Sequence, residues 1–154
     1  MSSPSILVFI AQGTEEMEFV TTYDVLVRAG CTVRSVYVGS SSEDSSDPHG
    51  AAQCATCTRG VRILPDLRLT DLEKGKALGY DAVVVPGGGP GAKTISENTS
   101  VQDLIKRYFA DGKIVATICA GTLAVKTSGI APDSSVTSHP SVQDQLTKGE
   151  YGVK

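Results

Sequence analysis

The stretch of sequence that decides the fold is IVATICAGTLAV, residues 114–125. Its first five residues are apolar or β-branched without alternation, which is typical of a parallel strand covered on both faces. A tight turn follows at Cys119, and the apolar run that starts at residue 123 predicts a helix directly after the turn. Strand, turn and helix in this order form the repeating unit of an α/β fold.

The same unit recurs towards the N-terminus and in the middle of the chain. Residues 6–11, ILVFIA, predict a buried strand, and residues 32–38 predict a second one. A third, residues 82–85, runs directly into the glycine-rich turn of residues 86–91. Alternating strands and helices predict a doubly wound, mostly parallel sheet with helices on both faces, a flavodoxin-like three-layer sandwich.

Two amphipathic helices are predicted from apolar residues spaced three and four apart. The first, which ends at Gly30, presents to the core Met17, Val20, Tyr23, Leu26 and Val27. The second begins with Ser100 as its N-cap and Asp103 in a capping box. It presents to the core Val101, Leu104, Ile105, Tyr108 and Phe109. A strand stub at 136–137 and helical turns at 141–146 complete the prediction.

Composition limits the class of protein. The 154 residues, 40% of them hydrophobic, are enough for one domain, residues 1–154, with a core of its own. The net charge of −3 is not arranged in blocks, and we therefore expect neither a nucleic-acid partner nor a membrane surface. Four cysteines without a secretory signal suggest a reducing compartment, and we expect a cytoplasmic protein that also enters the nucleus.

The middle of the chain is less regular. Residues 39–50 predict a surface loop rich in serine, with His49 exposed to solvent. Residues 54–64 predict short edge strands. They contain Cys54 and Cys57, a C-x-x-C pair that leaves a redox or zinc role open, although the chain has no second pair.

In a doubly wound fold, ligands bind at the carboxyl ends of the strands. Four loops follow predicted strands and are therefore candidate site segments: residues 12–18, 86–91, 119–122 and 138–140. Cys119 lies where a strand becomes a helix, so that helix N–H groups and the helix dipole would favour its thiolate. The simpler alternative is a cysteine that only fills space in the core.

The glycine-rich turn admits two functions. Its backbone N–H groups, together with that of Ala120, would stabilise an oxyanion formed by attack of Cys119 on a carbonyl. Residues 87–94, GGGPGAKT, also nearly match a phosphate-binding loop, but Ala92 stands where that motif requires glycine. A dinucleotide fingerprint over residues 87–92 lacks the downstream acidic residue.

Three glutamates open the first helix: Glu15, Glu16 and Glu18. Carboxylates favour a helix N-terminus for electrostatic reasons, and two of the three are expected to do only that. The third would face the strand ends beside the cysteine as a protonated carboxyl and proton shuttle, and the residues alone do not choose which. His139 follows a predicted strand and would face the same edge of the sheet as the cysteine, so a structural and a catalytic role are both open for it.

Four segments in this order resemble the DJ-1/PfpI superfamily, and its DJ-1 branch in particular. They are residues 11–18 (AQGTEEME), 84–88 (VVPGG), 116–121 (ATICAG) and 136–140 (VTSHP). The resemblance extends from about residue 6 to residue 151. It implies that Glu18 pairs with Cys119. It also implies that Gly87, Gly88 and Ala120 bind the substrate and its oxyanion. His139 corresponds to a histidine that lies near the cysteine in the family.

The resemblance also implies an activity. It is that of a glutathione-independent glyoxalase, a carbon–oxygen lyase of the glyoxalase III type that converts methylglyoxal to lactate with a nucleophilic cysteine. The implied partners are a small α-oxoaldehyde and a second copy of the chain, with Cys57, Thr58 and Arg59 near the dimer interface. No metal or organic cofactor is implied. Deglycase and chaperone activities are associated with the family.

Two alternatives remain open beside the lyase. One is an oxidative-stress sensor or redox-regulated chaperone in which Cys119 is oxidised to a sulfinic acid. The other is a cysteine peptidase or amidotransferase-like hydrolase with His139 as its general base. The family continues with a further strand, a loop and a C-terminal helix, and we therefore expect the domain to be truncated at its C-terminus.

Overall fold

The computed structural model describes residues 3–39, 54–73, 75–148 and 151–153. His49 and most of the predicted 39–50 loop lie outside these ranges. The described strands are β1 (Ser5–Ile10), β2 (Thr32–Tyr37), β3 (Ala55–Thr56), β4 (Arg62–Ile63), β5 (Leu67–Arg68), β6 (Ala82–Val85), β7 (Ile114–Thr117), β8 (Ser135–Val136) and β9 (Gly152–Val153). The α-helices are α1 (Glu16–Arg28), α2 (Gly89–Glu97), α3 (Thr99–Ala110), α4 (Leu123–Thr127) and α5 (Pro140–Thr147), and 3-10 helices form at Leu69–Leu72, Lys76–Gly79 and Cys119–Thr122.

The main sheet has five strands in the order β5-β2-β1-β6-β7, and every pairing in it is parallel. This confirms the predicted α/β fold and brings the carboxyl ends of β1, β6 and β7 side by side. Two smaller sheets stand apart: β3 and β4 form an antiparallel hairpin, and β8 pairs with β9. The predicted strands of residues 54–64 therefore exist, but the edge of the main sheet is β5.

The central strand β1 explains the three layers. Its side chains alternate between two cores, with Leu7 and Phe9 packed on one face and Ile6 and Val8 on the other. The first core is covered by α3 and α4, and the second by α1. Within the described ranges, no helix combines the length and the apolar character needed to span a bilayer.

The predicted core face of α1 is confirmed at Tyr23 and Leu26 and wrong at the other three positions. Met17 is 73% exposed, and Val20 and Val27 are about half exposed, whereas Phe19 is buried. The buried side of the helix follows positions 16, 19, 23 and 26, a second stripe with the same helical spacing. Spacing alone does not distinguish two apolar stripes on one helix, and the packing of β1 and β2 against Phe19 decides between them.

Two further details differ from prediction. Helix α3 is capped by Asn98, whose Oδ1 accepts from the Val101 N–H at 3.1 Å, so that Ser100 lies inside the first turn. Asp103 pairs with Lys106 and forms no capping box. Strand β7 is the other edge of the described sheet, opposite β5, which leaves Ile114 65% exposed where a buried strand was expected.

Replacing Ser128 by alanine should stabilise the protein. The side chain is 1% exposed, and its hydroxyl has no hydrogen-bond partner among the described residues. Removing an unsatisfied buried hydroxyl should raise the free energy of unfolding by about 1 kcal/mol and the Tm by roughly 3 °C. Ser96 is the matched control because it is equally buried but donates to the Lys93 carbonyl at 3.2 Å. Ser96→Ala should not stabilise, and a lower Tm for Ser128→Ala would contradict the prediction.

Candidate active site

Cys119 lies on a sharp turn between β7 and α4. Its φ is +59°, a left-handed conformation that is strained for any residue with a side chain. The turn is possible because Gly121 packs directly against the main chain of Val85, where a Cβ would overlap the carbonyl oxygen. The predicted elbow is therefore present, and it leaves the thiol half-buried at the carboxyl end of the sheet.

The Glu18 carboxylate lies against this thiol. Its Oε2 accepts the Gly87 N–H at 2.7 Å, and the carboxylate is hydrogen-bonded to Cys119. A Cβ placed on Gly87 would stand 2.7 Å from Glu18 Oε2 and 2.9 Å from Cys119 Sγ. The bare Cα of Gly87 is thus the surface on which the carboxylate and the thiol meet.

The electrostatic prediction for Cys119 is wrong in its net direction. Burial and the hydrogen bond to Glu18 raise the pKa of Cys119, while the N–H groups of Ala120 and Gly88 lower it by a smaller amount. The neighbouring carboxylate outweighs the helix-end amides that the sequence suggested. The Cys119 thiol is hydrogen-bonded to the Glu18 carboxylate, which is therefore placed to accept the thiol proton.

The three glutamates of α1 have three different partners. Glu15 is the N-cap, and its Oε2 accepts from the Glu18 N–H at 3.0 Å. Glu16 is buried and accepts from the Thr58 hydroxyl at 2.5 Å. Glu18 alone contacts Cys119, which agrees with the choice that the resemblance implied. The resemblance implied only that Thr58 lies near a dimer interface, and its contact with Glu16, across 42 residues of chain, was not predicted.

Two backbone N–H groups face the sulfur, those of Gly88 and Ala120. Gly88 adopts φ +85°, and a side chain there would stand 2.5 Å from the Glu15 nitrogen. Ala120 is buried and follows the nucleophile directly. Two convergent donors at a nucleophile are the arrangement that stabilises a developing oxyanion.

His139 reaches the site through its main chain. Its N–H donates to the Cys119 carbonyl at 3.2 Å, which fixes the segment after β8 against the elbow. The side chain is exposed and caps α5, with Nδ1 accepting from the Ser141 N–H at 3.2 Å. Thr122 adds a second link, because its hydroxyl donates to the Thr137 carbonyl at 2.9 Å.

The phosphate-loop and C-x-x-C motifs do not build ligand sites in the described part of the chain. Gly91 packs on Thr14, with the position of its absent Cβ 2.6 Å from the Thr14 nitrogen, so protein atoms fill the space of a phosphate cradle. Lys93 is exposed. Cys54 and Cys57 are both free thiols. Burial, and to a smaller extent the charge of Glu16, raises the pKa of Cys57 to about 11. In the described ranges, no three His, Cys, Asp or Glu side chains cluster as metal ligands would.

Comparison with known proteins shows the family to which the chain belongs. The model of the DJ-1/PfpI family matches residues 4–154, nearly the whole chain. The chain belongs to the DJ-1/PfpI family. Its elbow cysteine, the glutamate of its first helix and its glycine turn are therefore placed within a known architecture.

In alignments with named members of the family, about a third of the aligned residues are identical to those of this chain. The glutathione-independent glyoxalase DJ-1 of Schizosaccharomyces pombe is 35% identical over 149 residues, which are 95% of this chain and 73% of that protein. The glutathione-independent glyoxalase DJR-1.2 of Caenorhabditis elegans is 34% identical, over 96% of this chain and 70% of its own length. The crystal structure of Drosophila melanogaster DJ-1beta superposes with a TM-score of 0.83 at 35% identity, covering 99% of this chain and 74% of that one.

Proposed function

We propose that the protein is a glutathione-independent glyoxalase that converts methylglyoxal to lactate, a carbon–oxygen lyase of the glyoxalase III type. The observation that carries the proposal is the contact of the Glu18 carboxylate with the Cys119 thiol over the bare Cα of Gly87. Two relatives bear the glyoxalase name, which supports the substrate class. The catalytic residues proposed are Cys119, Glu18 and His139, with Gly87, Gly88 and Ala120 binding substrate.

The first step adds the thiol to the aldehyde carbon. Glu18 accepts the thiol proton as the sulfur attacks, because its carboxylate already holds that proton by a hydrogen bond. The aldehyde oxygen becomes an oxyanion, which the N–H groups of Gly88 and Ala120 stabilise. Return of the proton from Glu18 to this oxygen gives a hemithioacetal on Cys119.

The second step moves a proton between the two carbons of the bound substrate. Glu18 removes the proton from the carbon attached to sulfur, which gives an enediolate. After this proton exchanges with solvent, Glu18 delivers a proton to the former ketone carbon, and the hydroxyl proton of the first carbon passes to the oxygen of the second. The first carbon is thereby oxidised and the second reduced, so that the isomerisation to a thioester requires no external oxidant. Water then cleaves the thioester, releasing lactate and restoring the Cys119 thiol.

His139 is proposed as a third member of the site on a more indirect basis. Its main-chain N–H orients the Cys119 carbonyl, and its Nδ1 is engaged in the cap of α5. Nε2 is the ring nitrogen left to contact substrate or the attacking water. This arrangement supports the lyase better than a hydrolase in which the histidine activates the thiol, since Glu18 occupies that position.

The experiment that tests the function follows methylglyoxal by proton NMR with purified protein and no glutathione. The expected result is stoichiometric conversion to lactate, with solvent deuterium incorporated at the carbon next to the carboxylate when the reaction runs in heavy water. Loss of methylglyoxal without lactate would instead indicate simple adduct formation on the protein, and the proposed lyase would then be wrong.

We also propose that the protein forms a homodimer through α1. Met17, Val20 and Val27 are exposed on this helix, and Leu64, which follows β4, is 61% exposed beside Val20 and Val27 in the same groove. An apolar face of this kind is typical of an interface between copies of a chain.

Replacing Val20 by lysine should convert the dimer to a monomer. Val20 is half exposed and lines the groove beside Leu64, so that a charge there would have to be buried without a partner in the interface. The measurement is molar mass by sedimentation equilibrium. Val25→Lys is the control, since Val25 is also exposed on α1 but lies outside this groove. A Val20→Lys protein that remains a dimer would place the interface elsewhere.

A further inference from the structure

The β3–β4 hairpin is fastened to the loop between β1 and α1. Gln12 provides the first link with its side-chain amide: Nε2 donates to the Cys54 carbonyl at 2.9 Å, and Oε1 accepts from the Thr56 N–H at 2.8 Å. The amide thus pairs with β3 as another strand would. A backbone bond from the Gly13 N–H to the Thr56 carbonyl, 2.8 Å long, continues the contact.

The contact ends at the tip of the hairpin with a buried carboxylate. The Thr58 N–H donates to the Thr14 carbonyl at 3.0 Å, and the Thr58 hydroxyl donates to Glu16 Oε2 at 2.5 Å. The other oxygen of Glu16 accepts from the Arg59 N–H at 2.6 Å. Glu16 is 7% exposed, and hydrogen bonds to a buried charged group are among the strongest in proteins. The hairpin tip therefore holds the first residue of α1.

The first turn of α1 is also held from the opposite side. The Glu15 N–H donates to the Gly87 carbonyl at 3.0 Å, and Glu18 accepts from the Gly87 N–H. Glu18 is two residues after Glu16 in this turn. Its carboxylate is thus positioned by two supports, the glycine turn after β6 and the hairpin tip, and only the first of them touches it.

We propose that Thr58 is a positioning residue, whose hydroxyl fixes the first turn of α1 through Glu16 and so keeps the Glu18 carboxylate against Cys119. The inference deepens the proposed function and rests on the Glu18–Cys119 pair as its reacting groups. Thr58 acts on the helix and not on the substrate, so its loss weakens the coupling between carboxylate and thiol.

Thr58→Val tests this, because valine keeps the shape of the side chain and removes only the hydroxyl. The main readout is the rate at which iodoacetamide alkylates Cys119, followed by mass spectrometry as a function of pH. The midpoint of this profile should move part of the way towards that of Glu18→Gln. With methylglyoxal as substrate, kcat/KM should fall about tenfold, since a small displacement of a reacting group is costly. Thr58→Ser should restore both properties.

Two controls separate positioning from stability. Thr56→Val makes the same change at an exposed position of the same hairpin and should leave the alkylation profile unchanged. In a Glu18→Gln background, Thr58→Val should cause no further shift of the profile, because the group it positions is gone. A lower Tm with an unchanged profile would overturn the inference, as would a shift of equal size in both backgrounds.

The alkylation profile requires no turnover, so this inference and the proposed function can fail separately. If methylglyoxal is not converted to lactate but the profile shifts as expected, the substrate assignment is wrong and the role of Thr58 stands. If lactate is formed and the profile of Thr58→Val equals that of the unchanged protein, the role of Thr58 is wrong.

Discussion

Replacing Cys119 by alanine should reduce lactate formation from methylglyoxal to the rate observed in buffer alone. The thiol supplies the atom that bonds to the substrate in the proposed mechanism, and it is hydrogen-bonded to the Glu18 carboxylate and to the Gly88 and Ala120 amides. Loss of a covalent nucleophile lowers kcat by about 10³-fold or more, because the remaining donors bind substrate without opening the covalent route. Alanine at φ +59° carries the same backbone strain as cysteine, so that the fold should persist.

The measurement is lactate released over time, with unfolding followed by circular dichroism to show that the variant is folded. Cys54→Ala is the matched control, because Cys54 is a half-buried free thiol that interacts with Gln12 only through its carbonyl. That control should keep full activity. Activity that survives in Cys119→Ala and disappears in Cys54→Ala would move the nucleophile to the hairpin and refute the mechanism.

Replacing Gly87 by alanine should lower kcat/KM by about 100-fold without unfolding the protein. The added methyl group would stand 2.7 Å from both Cys119 Cβ and Glu18 Oε2, closer than nonbonded atoms approach. Relief requires the carboxylate and the thiol to separate. The pKa of Cys119 should then move down towards that of an ordinary cysteine, because the hydrogen bond to Glu18 that helps to raise it is lost.

Gly89→Ala provides the control for this experiment. It is the same substitution two residues later, at a position where no atom lies within 4 Å of a new Cβ. Gly89 is the first residue of α2, where alanine is at least as favourable as glycine, so Gly89→Ala should not lower the Tm. It should also keep its activity, because the new methyl group has no neighbour to displace. The alkylation profile and kcat/KM are measured for both variants. Normal activity in Gly87→Ala would mean that the reaction does not require contact between the Glu18 carboxylate and the Cys119 thiol.

Much of the architecture could be predicted because its signals are local. The uninterrupted apolar run of β1 requires cover on both faces, which only a sheet between two layers of helices provides, and its residues divide between two cores. The strand, turn and helix around Cys119 were also predictable, since small residues must follow a nucleophile that stands on so sharp a turn. The residues proposed for the site all lie in the four predicted segments that follow strands.

The site itself depended on contacts that no local pattern contains. Glu15, Glu16 and Glu18 are equivalent as residues at a helix N-terminus. Only the packing of α1 beside the end of β6 brings the Glu18 carboxylate into hydrogen-bond contact with Gly87, 69 residues away in sequence. The same contact between α1 and the turn after β6 also helps to reverse the direction expected for the pKa shift of Cys119. Helix-end amides favour a thiolate, but burial of the sulfur and its contact with the Glu18 carboxylate together raise the pKa of Cys119 further than those amides lower it.

The sequence by itself therefore determined the α/β layers, the elbow and the position of the cysteine that is the candidate nucleophile. These follow from hydrophobic periodicity and from the small residues that a strand-to-helix turn requires. Only the tertiary structure decided which face of α1 is buried, which glutamate touches Cys119 and that Thr58 holds the neighbouring Glu16. Hydrogen bonds and charge interactions act over a few ångströms in space, and their partners here are brought together by the order of strands in the sheet.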